Sequence, residues 1–132
     1  DQLQAAAESG LYLPWPADPR LQPLCEALYE TPDLPHRLAD WASHLALSEK
    51  TLTRLFQQHT GLTFRAWRQR LRLLSALPLL QQGERVTDVA LACGYDSTSA
   101  FIAAFRKHLG VTPSAFGDLP DHVQQPLSAP QR

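Results

Sequence analysis

Residues 48–61 read SEKTLTRLFQQHTG, and forty-nine positions later residues 97–110 read STSAFIAAFRKHLG. Aligned without gaps, Ser48 pairs with Ser97, Phe56 with Phe105, His59 with His108 and Gly61 with Gly110. Upstream the offset is forty-eight, so that Asp40 and Ala42 match Asp88 and Ala90. The second copy thus carries one extra residue in its turn, where Ala46-Leu47 becomes Gly94-Tyr95-Asp96. Such a repeat restricts the chain to folds that build one small unit twice.

The unit is a short helix, a turn and a second helix. Leu38, Trp41, Ala42 and Leu45 recur at spacings of three and four, as do Val86, Val89, Ala90 and Cys93. The second helices open at Ser48 and Ser97, whose hydroxyls can accept from a free N–H of the first turn. They close at Gly61 and Gly110, which tolerate the left-handed conformation that ends helices. At about 100° per residue, Leu52, Leu55, Phe56 and His59 share an inward face, while Lys50, Thr53, Arg54 and Gln57 project outward. Two crossed helices that offer hydrogen-bonding side chains on the second of them suit the major groove of DNA.

The remaining pattern is helical as well. Asp18 and Pro19 suit a helix start, with Leu21, Leu24, Cys25 and Leu28 buried along a helix that continues through Tyr29. The leading helix of the first pair is expected at residues 35–45. Thr63 can cap a long connector in which Trp67, Leu71, Leu74 and Leu77 or Leu80 form one continuous apolar stripe, ended by Gly83. Pro78 lies inside it and removes a helical hydrogen bond at about 3 kcal/mol, so a kink that resets the angle between the two units is expected there. Thr112, Pro113 and Phe116 mark a last short helix. The fold is therefore read as all-α with about seven helices: a linker or the end of a removed domain (1–17), a first helix-turn-helix subdomain (18–62), the connector (63–83), a second subdomain (84–116) and a flexible tail (117–132).

Composition narrows the function. A net charge of −1 at pH 7 argues against a uniformly basic nucleic-acid binder, yet the charge is segregated. Residues 1–49 carry a net −6, whereas residues 50–72 hold Lys50, Arg54, Arg65, Arg68, Arg70 and Arg72 with no acid. The cations thus cluster where the first recognition helix and the connector would meet phosphates, with a solvated helix face as the plainer alternative. No apolar run approaches the roughly 20 residues of a membrane span. Cys25 and Cys93 have no metal-type spacing and read as buried free thiols of a reducing cytoplasm. With no methionine even at position 1, the chain reads as a fragment whose missing part precedes Asp1. No nucleophile motif, phosphate loop or paired ligand spacing is present, so no catalytic, metal or cofactor site is expected.

Taken together, LALSEKTLTRLFQQHTGLTF, the connector stretch RLLSALPLL and VTDVALACGYDSTSAFIAAFRKHLGVTPSAF resemble the AraC/XylS-type bacterial transcription regulators over about residues 18–116. The resemblance implies two helix-turn-helix motifs joined by a long helix, and double-stranded DNA at a promoter or operator as the partner. It also implies RNA polymerase as a partner of the parent protein, an effector held by a sensing domain absent here, and a cytoplasmic, nucleoid-associated location.

In the first unit, the resemblance and the helical wheel agree on Lys50, Thr53 and Arg54 as groove-facing, with Gln57 at the edge. Arg54 is the strongest candidate for gripping guanine O6 and N7. The equivalent second-unit residues are Ser99, Ile102, Ala103 and Arg106, with Thr98 near the helix start. Ile102 and Ala103 could meet thymine methyl groups, or mark a unit that reads few bases. Arg65, Arg68 and Lys107 are candidate phosphate contacts. His59 and His108, in the last turns before glycine, suit capping or dipole roles. Asp40 and His44, four apart, read as an ordinary helix pair before half a metal site. Unequal units follow, the first supplying most base discrimination and the second mostly position and shape. A helical protein-interaction module that has lost its DNA affinity is the competing reading, and overall acidity would permit it.

Overall fold

The computed structural model describes residues 12–119. The expectations of a linker over residues 1–11 and a flexible tail over residues 120–132 lie outside them. A 3-10 turn at Pro19–Leu21 leads into α1 (Gln22–Glu30), followed by α2 (Leu38–His44), α3 (Glu49–Thr60), α4 (Phe64–Gln81), α5 (Val86–Ala92), α6 (Thr98–Leu109) and α7 (Pro113–Gly117). These seven helices, with no strand among the described residues, form two small cores threaded by α4.

Local chemistry sets most of the boundaries. Ser48, Thr63, Ser97 and Thr112 each accept a hydrogen bond from the N–H three residues on, opening α3, α4, α6 and α7. Gly61 and Gly110 end α3 and α6 at φ 75° and 79°. Asp18 caps the 3-10 turn through Arg20 N–H, and Arg20 also grips its carboxylate at 2.6 Å. Those Arg20 bonds, aided by nearby His59, hold the buried Asp18 carboxyl down at about 2. His59 thus faces Asp18, 3.8 Å away, and the α3 terminus itself is closed by Gly61. Helix α2 starts at Leu38 rather than near 35, because the Asp40 carboxylate accepts the Arg37 N–H at 2.8 Å and fixes the entry there.

The repeat is reproduced bond for bond. Leu47 N–H donates to Ala42 O and Tyr95 N–H to Ala90 O, forty-eight positions apart. The left-handed residue of the turn is Ala46 (φ 58°) in the first copy and Gly94 (φ 92°) in the second. The extra residue of the second copy is therefore Asp96, just before the Ser97 cap.

Three expectations need correction. The connector stripe is not a single seam: at about 100° per residue, Phe64, Trp67 and Leu71 lie on one side of α4, and Leu73, Ala76, Leu77 and Leu80 lie about 160° around it. The first set packs with Phe56 and Leu52, the second with Phe101, Phe105 and Phe116, and half-buried Leu74 touches both clusters. Pro78 lies inside the helix, which runs three residues further to Gln81. Residues 12–17 are no loose linker, since Leu13 is buried, Trp67 Nε1 donates to Pro14 O at 2.7 Å, and the Trp15 ring stands edge-on to Trp67 at 5.9 Å. At the other end, Leu119 packs on the second core and donates to Phe116 O, so that subdomain reaches 119 rather than 116.

Candidate nucleic-acid interface

Helices α3 and α6 are each 12 residues long and bury one face, Leu52, Leu55 and Phe56 in the first and Phe101, Phe105 and Leu109 in the second. Their opposite faces are bare. An open trough on α3 is lined by Lys50, Thr53, Arg54, Gln57 and Gln58. Its counterpart on α6 is lined by Ser99, Ile102, Ala103, Arg106 and Lys107. Every lining residue of one trough has its partner in the other at an offset of forty-nine.

The repeat thus makes two equivalent surfaces with unlike chemistry. On α3 the middle is Thr53 and Arg54, both exposed, with Lys50 a turn earlier; Gln57 Nε2 also donates to Gly61 O at 3.3 Å. On α6 the middle is Ile102 and Ala103, and the cations Arg106 and Lys107 are confined to the last turn, where they also complement the helix dipole. Gln58 was missed from sequence alone; the alignment of the copies with Lys107 was the signal for it. Thr98 is half-buried and lies outside the α6 trough.

The cationic segment is only partly outward. Lys50, Arg54 and Arg65 are exposed. Arg68 is not available as expected for a phosphate: its guanidinium donates to the carbonyls of His36 and Leu34 and lies over the Phe64 ring. Burial and the neighbouring Arg72 charge lower its pKa. Arg70 reaches Tyr12 O at 3.3 Å and Arg72 reaches Pro32 O at 3.4 Å. Three of the six cations therefore hold loops of the first subdomain onto α4, a use that a charge count along the sequence cannot distinguish from an outward patch. His108 is drawn below the usual histidine range by burial and by the Lys107 and Arg70 charges, which weighs against a charged dipole role.

A family model for the helix-turn-helix domain matches residues 41–118. Among solved structures, a transcriptional regulator from Chromobacterium violaceum, described as one of the AraC-type DNA-binding domain-containing proteins, superposes with a TM-score of 0.69 at 30% identity, covering 77% of this chain and 95% of that one. The chain belongs to the AraC-type helix-turn-helix family. The DNA-binding domain of AdpA, a global transcriptional factor, solved in complex with a target DNA, is similar at 29% identity and a TM-score of 0.68 over 76% of this chain and 91% of its own. The HTH-type transcriptional regulator NimR of Escherichia coli is 41% identical over 116 residues, which is 88% of this AraC-type chain and 42% of NimR. RipA of Corynebacterium glutamicum, another HTH-type transcriptional regulator, is 34% identical over 78% of the chain and 31% of its own length. The chain thus spans less than half the length of these curated relatives.

Proposed function

We propose that this AraC-type domain binds double-stranded DNA sequence-specifically as part of a bacterial transcription regulator, with α3 and α6 entering successive major-groove segments on one face of the duplex. The observation that carries this reading is the pair of register-matched troughs on two capped helices whose other faces are buried. Recognition faces one helical turn apart lie about 34 Å from each other, and DNA bends where a protein holds them closer.

The troughs divide the work. Arg54, with Lys50 and Thr53 beside it, offers a fork and hydroxyl to base edges, while Ile102 and Ala103 offer apolar contact to thymine methyl groups. Lys50, Arg65, Arg106 and Lys107 are exposed cations of α3, α4 and α6 available to phosphates. Four such contacts give a slope of log K against log salt of about −3 to −4. Titration of a labelled duplex over a range of salt concentrations tests this; binding that ignores salt would instead mark the apolar α6 trough as a protein-docking face.

In the whole regulator, an effector bound by a separate domain and contact with RNA polymerase are proposed, with action in the cytoplasm at the nucleoid. The extra length of NimR and RipA beyond the matched region supports room for such functions. Co-purification of the full regulator with RNA polymerase, and a change in its DNA affinity when small molecules are screened, test the two partners separately.

A further inference from the structure

Arg72 occupies an unusual place on the connector. Around α4 it falls between the side that faces the first core and the side that faces the second, about 160° from Leu74. Leu74 touches both cores on its flank. On the other flank, the Arg72 Nε donates to Pro32 O, in the loop between α1 and α2, at 3.4 Å. The same guanidinium fills the space over Gly94, in the turn between α5 and α6: a Cβ there would lie 2.9 Å from Nε and 3.1 Å from Cζ and Nη2.

Other groups converge on this junction. Burial pushes the Cys93 thiol up to about 12, while the Arg72 cation pulls it back and the Asp33 and Glu84 carboxylates raise it. Tyr95 Oη is buried nearby without a hydrogen-bond partner, and it too feels the Arg72 charge. Pro32, the guanidinium and the Gly94 turn therefore form one contact between the two subdomains, at the edge of the second core to which Cys93 and Tyr95 belong.

We propose that Arg72 is a positioning residue: a strut between the Pro32–Asp33 loop and the Gly94 turn that fixes the angle between α3 and α6, and so selects the spacing between the two DNA segments the domain accepts. The inference rests on the two-headed DNA-binding reading. An Arg at this position carries no base contact of its own, and its influence on DNA reaches both heads through their relative placement.

The test measures binding of wild type, Arg72→Gln and Arg72→Lys to a set of duplexes in which two selected contact blocks are moved apart or together by one and two base pairs. Both variants keep an aliphatic stem on α4, and circular dichroism monitors their fold. Wild type should lose affinity about tenfold off its preferred spacing, one 1.4 kcal/mol step. Arg72→Gln should flatten that penalty to about twofold, with binding to either block alone unchanged. Arg72→Lys, which keeps the charge without the planar fork, should fall between. An unchanged spacing preference in Arg72→Gln would overturn the strut, as would loss of folding in both variants, since a strut lies outside each core. Absence of duplex binding by wild type would instead defeat the DNA-binding reading itself.

Discussion

The two helix-turn-helix copies make the same hydrogen-bonded turn, but the left-handed position holds Ala46 in the first and Gly94 in the second. Ala46 is exposed, so its Cβ costs only backbone strain. Gly94 lies under the Arg72 guanidinium, so a side chain there would add a steric clash to the strain. The same unit therefore takes a side chain freely on its open side, whereas where the subdomains meet one would have to displace the Arg72 guanidinium. The reading faces differ in a parallel way, with a polar, forked centre on α3 and an apolar centre on α6.

The largest expected effect is at the crowded turn. Gly94→Ala should destabilise the domain by about 2 to 3 kcal/mol in urea unfolding; a change below 1 kcal/mol would mean that Arg72 moves aside freely. Next comes the polar trough. Arg54→Ala should cost about 1 to 3 kcal/mol of binding and relax base preference at one position, measured by gel shift on variant duplexes. Equal losses at all positions would recast Arg54 as a phosphate contact.

How far these contrasts could be read in advance depended on the residue. The caps at Ser48, Thr63, Ser97 and Thr112 and the glycine stops were legible because each acts on its own backbone within a few residues. The outward rows of α3 and α6 were legible because helical period alone separates them from Leu52, Phe56, Phe101 and Phe105. The split of the α4 stripe was not, since Leu73 and Ala76 reveal their side only when a second core stands opposite the first. Nor were the inward turns of Arg68 and Arg72, whose carbonyl partners lie more than thirty residues away. The Trp15–Trp67 contact was hidden for the same reason, its two rings being distant in sequence.

Smaller effects sharpen the asymmetry of the reading faces. Replacing a thymine under α6 by uracil removes one methyl and should weaken wild-type binding by about 0.8 kcal/mol. The same exchange should leave Ile102→Ala less affected, and equal losses in both proteins would remove Ile102 from thymine reading. Smallest of all, Ala46→Gly should stabilise the domain by about 0.5 kcal/mol, because relief of left-handed strain slightly exceeds the added freedom of the unfolded chain. A destabilisation in thermal melts would show that the two turns are not equivalent in strain.

The central claim is that both capped helices face one duplex together. Hydroxyl-radical footprinting of a duplex selected from random sequence tests it most directly. Two protected blocks about one helical turn apart on the same face, with base preference concentrated under α3, are the predicted result. A single protected block, or no protection at low salt, would contradict it.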